Sequence, residues 1–208
     1  MPRTTLAIAV CAATCAFGWT TVVAQQRPPS PDGHAATEVG GHYIGADPIY
    51  VGGKWIEVSY GSPIKRSRDL WGSGEVYGRM LMAGAPVWRA GADISTYLMT
   101  QATLLINDKT IEPGGYTMFI DLKPAKWTLI VSNWEPQQQF NPSDRTRLWG
   151  AFGYTPAKDV VRAPMALSTL PFSMDQLTWT FTDMSDAGGR LAIMWDHVMA
   201  TTPFTIKK

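Results

Sequence analysis

Arg89 sits in the densest patch of usable chemistry in the chain, Val87-Trp88-Arg89-Ala90-Gly91-Ala92-Asp93. A large aromatic, a permanent cation, a glycine and a carboxylate follow one another there. As a binding loop, its parts divide naturally. Arg89 presents a planar fork of donors suited to a carboxylate or phosphate. Gly91 lets backbone approach a ligand closely, Trp88 stacks on it, and Asp93 orients a hydroxyl, with Thr96 a few residues on. The same residues also satisfy a structural reading. In that reading Trp88 anchors the loop in the core, Arg89 and Asp93 satisfy loop carbonyls and amides, and Gly91 turns the chain.

Other polar groups are read against this patch. Lys65, Arg66 and Arg68 form a cationic cluster on a solvated loop; folded toward Arg89, Arg68 would complete an anion pocket. Asp159 and Arg162, three apart near a strand start, read as a structural ion pair fixing a long loop. His197 is a lone histidine at a turn, with no cysteine or base beside it, and reads as a satisfied turn residue. His34 and His42 with Asp47 are too few to make a metal site, and no cofactor is expected. The sequence has no Gly-x-Ser-x-Gly elbow and no His-Glu-x-x-His helix.

The elements that would hold these groups are strands. Leu177, Trp179 and Phe181 alternate with threonines, and Leu191, Ile193 and Trp195 repeat the pattern, as strands with one buried face do. Tyr116–Ile120 and Trp127–Val131 flank the loop Lys123–Lys126. Ile49–Val51, Gly52-Gly53 and Lys54–Tyr60 read as a hairpin on a glycine turn. Ile94–Thr100 and Val198–Ile206 are further strands. No segment longer than about ten residues holds a helical period. The expected fold is all-β: a single antiparallel β-sandwich of Ig-like or jelly-roll type, with about nine strands. Two long loops, Gly61–Pro86 and Asn133–Asp159, carry aromatics that must pack on something.

Residues 1–24 read as a signal peptide, with one cation at Arg3, an apolar run and Val22-Val23-Ala24 before the cleavage point. Residues 25–40 read as a disordered Pro-rich leader, and residues 41–208 as the domain. Both cysteines, Cys11 and Cys15, lie in the signal, so the mature domain must be held by its own core. Removing Arg3 lowers the basic residues from 18 to 17, equal to the 17 acidic ones. That balance disfavours a nucleic-acid partner or a stable membrane association, which need a basic field. The chain is expected to be exported, periplasmic or secreted.

Several motifs follow one another in a specific order. Tyr60-Gly61-Ser62-Pro63 is followed by the Val87–Asp93 segment with Thr96, then by Pro113-Gly114-Gly115-Tyr116-Thr117. Trp127, Trp149-Gly150, Tyr154, Pro156-Ala157-Lys158-Asp159 with Arg162, and the closing Leu191–Trp195 and Val198–Phe204 strands complete the series. Together they resemble the bacterial family of exported proteins catalogued as domain of unknown function 2911, over roughly Ile49 to Ile206. That family's pattern has Arg where Ser62 stands, Gly where Ser67 stands, and Asn-Glu where Asp93-Ile94 stand. The resemblance implies export and a β-rich fold, and it implies no activity, cofactor or substrate.

The leading functional reading is a non-catalytic module holding a small anionic or hydroxylated ligand, a saccharide among the options. Its site residues would be Trp88, Arg89, Gly91, Asp93, Thr96 and Arg68. The alternative is a structural or protein-interaction scaffold of the cell envelope. A third reading, ranked last, is a hydrolase using Asp93, Asp69 or Glu75 with a water.

Overall fold

Alternation along the strands sets the architecture. In the computed structural model, which describes residues 30–47, 49–137 and 139–207, Leu177 and Trp179 are buried while Thr178 and Thr180 are half-buried. The period-two pattern read from the sequence is therefore the one the backbone adopts. Eleven strands form: β1 (Asp32–Val39), β2 (His42–Ile44), β3 (Ile49–Val51), β4 (Lys54–Gly61), β5 (Thr96–Thr100), β6 (Leu104–Ile106), β7 (Lys109–Ile111), β8 (Gly114–Lys123), β9 (Lys126–Ser132), β10 (Asp159–Ser185) and β11 (Gly188–Ile206). One short helix, α1 (Arg79–Met82), lies in the first long loop. Nine strands make one antiparallel sheet in the order β1-β4-β5-β8-β9-β10-β11-β6-β7, and β2 and β3 pair by themselves.

β10 is 27 residues long. Straight, it would reach roughly 90 Å, whereas a domain of this size has a radius of gyration of about 16 Å. It must bend, and it does so by changing partners. Asp159–Met165 pairs with β9 and the rest with β11, with register shifts between Thr169 and Met174 and between Met174 and Thr178. Past the bend, Leu177 and Trp179 face Ile56, Val58 and Tyr60 of β4 across one continuous core that also takes in Met118, Ile120, Leu129, Leu191 and Trp195. The chain just beyond β4 closes the curl. Lys65 N donates to Asp175 O at 2.6 Å, Leu177 N donates to Pro63 O at 3.0 Å, and the Ser62 hydroxyl donates to Leu177 O at 2.6 Å.

The other faces of β8 and β9 are also covered. Phe119 and Ile130 pack with Leu148, Ala151 and Tyr154 from the loop between β9 and β10. This is why the run Tyr116–Leu122 is apolar almost without alternation. Of the aromatics in that long loop, Tyr154 is buried and Trp134 packs against this cluster, whereas Phe152 stays exposed.

Three expectations are corrected. The segment expected as the end of a disordered leader contributes β1, paired with β4 from Asp32↔Gly61 to Val39↔Lys54. Its prolines end at Pro31, and Ala35 and Val39 then reach the core; residues 1–29, with the expected signal, lie outside the described residues. The Gly52-Gly53 pair does not join a hairpin of β3 and β4. β3 pairs with β2, His42↔Val51 to Ile44↔Ile49, in the same register that β1 and β4 keep. Asp32–Gly61 is therefore one long ribbon interrupted where Gly40-Gly41 faces Gly52-Gly53, and Gly40 and Gly52 take φ of +73° and +74°. Lastly, the two strands expected on either side of His197 are one strand, β11, kinked at Asp196, whose φ is +53°.

Asp196 lies opposite the bend of β10, paired with Met174. It accepts hydrogen bonds from the Ser173 hydroxyl at 2.7 Å and from Lys65 Nζ. Burial alone would raise its pKa, but the Lys65 and Ser173 hydrogen bonds outweigh it and hold the carboxyl below its ordinary value. A carboxyl with a depressed folded pKa stabilises above the unfolded pKa of about 3.9, and that stabilisation is lost as pH falls through the lower folded value. Urea midpoints measured from pH 5 downward should accordingly fall less steeply in Asp196→Asn than in the wild type, and Asp196→Asn should be the less stable at pH 7. Gly61→Ala should lose about 1–3 kcal/mol by overpacking, because a Cβ there would stand 1.9 Å from the Ala92 carbonyl oxygen; its denaturation midpoint is the measurement.

Candidate functional site

β5 pairs with β8 only as far as Met118, leaving the next stretch of β8 without a neighbour on that side. Trp88 fills the gap: Trp88 N donates to Ile120 O and Ile120 N donates to Trp88 O, each at 2.8 Å. This pair of hydrogen bonds drives the Trp88 side chain inward, where it is 1% exposed. Its ring stacks on Trp195 (6.2 Å, 13°) and meets the edges of Trp71 and Trp127, while its indole N–H donates to Gly91 O at 3.1 Å. The structural half of the sequence reading thus holds for Trp88, whose ring is stacked on Trp195.

The loop that follows turns outward. Ala90 O accepts the Trp179 indole N–H at 2.9 Å. The left-handed residues are Ala90 and Asp93, with φ of +57° and +58°. Gly91 is not among them, so it is not the residue that turns the chain. Its smallness serves a close approach, because a Cβ would sit 2.8 Å from the Thr96 hydroxyl and 3.0 Å from Gly61 O. Thr96 is fully buried beneath the loop with its hydroxyl unpartnered.

Arg89 is half-buried. Its NH1 donates to Asp93 O at 2.9 Å, its guanidinium carbon lies 5.8 Å from the Phe152 ring centre, and it rests against Gly150. Burial draws its pKa below the ordinary value while the Asp93 carboxylate works in the opposite direction; an arginine remains charged through such shifts. Arg68 approaches from the first long loop. Its Nε donates to Lys65 O at 2.9 Å and its NH2 to Ile64 O at 2.7 Å, and it lies over Trp195. Arg68 and Arg89 line one cavity of about 220 Å³, together with Trp88, Trp195, Gly91 and Asp93. Five of the six expected site residues therefore gather, and Thr96 does not line that cavity. Lys65 instead binds Asp196, so the cationic cluster is divided between two tasks.

A larger cleft of about 430 Å³ opens on the far side of Asp93. Ser59 and Tyr97, a directly opposed pair on β4 and β5, line it with Ile94, Ser95, Glu135 and Arg147. Sequence reasoning missed these residues. The available signal was Ser59 and Tyr97 at outward-facing strand positions, which reads as ordinary solvation. Asp159 and Arg162 form the expected ion pair at 3.0 Å, joined by the Tyr154 hydroxyl, which donates to Asp159 Oδ2 at 2.6 Å. Burial pushes the Tyr154 hydroxyl far up, with Asp159 adding to it. Asp93 lines the arginine cavity and Asp69 a separate one, and among the described residues no three of His, Cys, Asp or Glu gather to hold a metal.

The model of the family described as protein of unknown function (DUF2911) matches residues 47–204, three-quarters of the chain and all of this site. The chain belongs to the DUF2911 family. No curated protein and no solved structure matches it. Two departures from the DUF2911 pattern now have geometry. Ser67 and Asp93, two of the positions at which the resemblance sets this sequence apart, both take left-handed backbone, with φ of +61° and +58°, a conformation Asp tolerates. No helix among the described residues is long and apolar enough to cross a membrane.

Gly150 tests how the Arg89 guanidinium is held. Its φ is +62° and a Cβ would lie 2.4 Å from Arg89 Cζ. Gly150→Ala should cost about 1–2 kcal/mol through the left-handed backbone alone, read from the denaturant midpoint. It should also displace the guanidinium, visible as a shifted Arg89 Nε–Hε resonance.

Proposed function

We propose that this chain is a non-catalytic binding module that takes a small anion, or the anionic group of a small molecule, between Arg68 and Arg89. One observation carries the reading: two guanidiniums converge on one cavity, and among the described residues neither is in an ion pair. The protein's own acceptors leave donors to spare. Arg89 gives one hydrogen bond to a carbonyl and Arg68 gives two, out of five N–H groups each. A cavity of about 220 Å³ lies below the usual range of small-molecule sites, about 300–1,000 Å³. It suits a carboxylate, phosphate or sulfate group rather than a whole drug-sized ligand. The stacked rings of Trp88 and Trp195 contribute an apolar part of its lining.

The reading extends to setting and architecture. The curled sheet, with β4 and the second half of β10 facing each other across the core, supports a sandwich of the Ig-like or jelly-roll kind. The apolar opening of the chain supports export with cleavage near Ala24. The second reading, an envelope scaffold, draws on Arg89 NH1 binding Asp93 O, a bond that serves the loop's own shape.

Phosphate, sulfate and acetate titrated against the intrinsic tryptophan fluorescence separate the two. The binding module predicts a saturable change, weakened about 10-fold or more in Arg89→Ala and in Arg68→Ala, since a charge-assisted hydrogen bond contributes about 1.5–3 kcal/mol. The scaffold predicts no response to any of the three anions. It also predicts that Arg89→Ala lowers stability by about 0.5–1.5 kcal/mol, the worth of one hydrogen bond in an exposed loop.

A further inference from the structure

We propose that the larger cleft beyond Asp93 is a second site, separate from the arginine cavity, for a neutral molecule rich in hydroxyl groups, of the sugar type. The first argument is an unmet need. The Ser95 side chain is nine-tenths buried, lines the cleft, and its hydroxyl has no hydrogen-bond partner. A buried hydroxyl left unpaired costs about 1–3 kcal/mol. A bound hydroxyl that reached Ser95 would recover this.

The second argument is the chemistry of the walls. Ser59, Ser95 and Tyr97 contribute hydroxyls, Glu135 a carboxylate and Arg147 a guanidinium. Hydroxyls both donate and accept, a carboxylate accepts from neighbouring hydroxyl pairs, and a guanidinium only donates. Arg147 is already paired with Asp144, which leaves the cleft no free cation among the described residues to draw an anion, and its hydroxyls with Glu135 suit a ligand whose groups both donate and accept. Tyr97 adds an apolar ring. Its hydroxyl lies across Gly115, where a Cβ would be 1.8 Å away. At about 430 Å³ the cleft falls inside the range of small-molecule sites, about 300–1,000 Å³.

The third argument is rigidity. The wall is not a loose loop, because the buried Gln137 amide clamps it from within. Its Nε2 donates to the carbonyls of Asn141, Asp144 and Arg147 at 3.0–3.1 Å, and its Oε1 accepts from Asn141 N at 2.8 Å. Asp144 accepts from Arg147 Nε at 2.6 Å and so fixes the guanidinium's approach. Hydrogen bonds from Thr146 and Arg147 hold the Asp144 carboxyl far below the ordinary carboxylate range, so the clamp stays charged. A preformed wall lowers the ordering cost of binding.

The test is an amide chemical-shift titration of the full chain with glucose, galactose, N-acetylglucosamine, maltose and cellobiose at millimolar concentrations, with glucuronate and phosphate as charged comparators. At least one neutral sugar should move the amides of Ser59, Ser95, Tyr97 and Gln137 saturably. Ser95→Ala should weaken that sugar about 3- to 10-fold, the worth of one neutral hydrogen bond, and Glu135→Gln should weaken it as well. Ser95→Ala deletes an unpaired hydroxyl, so it should fold at least as stably as the wild type and remain a usable probe. Phosphate added to saturate the arginine cavity should leave sugar binding unchanged, which keeps this site's outcome separate from that of the arginine cavity. The proposal is overturned if no neutral sugar moves the cleft amides. It is equally overturned if the shifts survive both Ser95→Ala and Glu135→Gln, or if only glucuronate or phosphate binds there.

Discussion

The bend in β10 is the constraint on which the remaining geometry hangs. A strand too long for its domain must change partners, and the change leaves Asp175, Gln176 and Leu177 with free backbone groups on one side. The chain leaving β4 supplies the missing partners through Pro63 and Lys65, and the sheet closes on its core. The same contact fixes where the first long loop departs. Arg68 is only a few residues beyond the closure and is tied to it by its own hydrogen bonds to Ile64 and Lys65. Trp195, across the bend on β11, donates its indole N–H to Asp175 O and so stands where Trp88 can stack on it. Without the bend, the two guanidiniums would have no common floor.

The abundance of tryptophan has a related explanation. Trp88 donates to Gly91 O, Trp179 to Ala90 O, Trp195 to Asp175 O, Trp134 to Thr155 O, and Trp127 to the Tyr77 hydroxyl. In each case an indole buries a large apolar area and spends its one donor on an acceptor in a loop or at a bulge. A domain without disulfides can fix long connections in this way. Trp71, in the same aromatic cluster, departs from this, with its indole nitrogen buried and unpartnered.

What was legible in the sequence was local. Alternation located β8, β9 and the later parts of β10 and β11, because a half-buried strand must repeat every two residues. The Val87–Asp93 segment stood out as a candidate because its residue types are costly to place together, and the cavity its residues line was legible to that extent. Arg68 was legible only as a conditional partner, since nothing in spacing says which way a loop folds. Pairing was less visible. Gly52-Gly53 has the composition of a hairpin turn, yet the true turn lies at the ribbon's tip and the glycines mark an interruption. Asp32–Val39 has too polar a composition to suggest a strand and gains its place by pairing along β4. The larger cleft was invisible because Ser59, Tyr97, Ser95, Glu135 and Arg147 come from four separate stretches that only the curled sheet unites.

The interrupted ribbon has a mechanical consequence. Because β1–β4 and β2–β3 keep one register across the glycine square, the tip cannot slip along its partner without breaking both ladders at once. Two glycines face two glycines there, with the Tyr50 ring over Gly41 and the Glu38 side chain over Gly53 in place of their missing side chains. The shared register opposes sliding, and the interrupted ladder leaves the Gly41 N–Tyr50 hydroxyl hydrogen bond to hold the tip against bending. Beyond the glycines the short β2–β3 pair therefore carries Tyr43, Ile44 and Ile49, all exposed, out from the main sheet on one ladder.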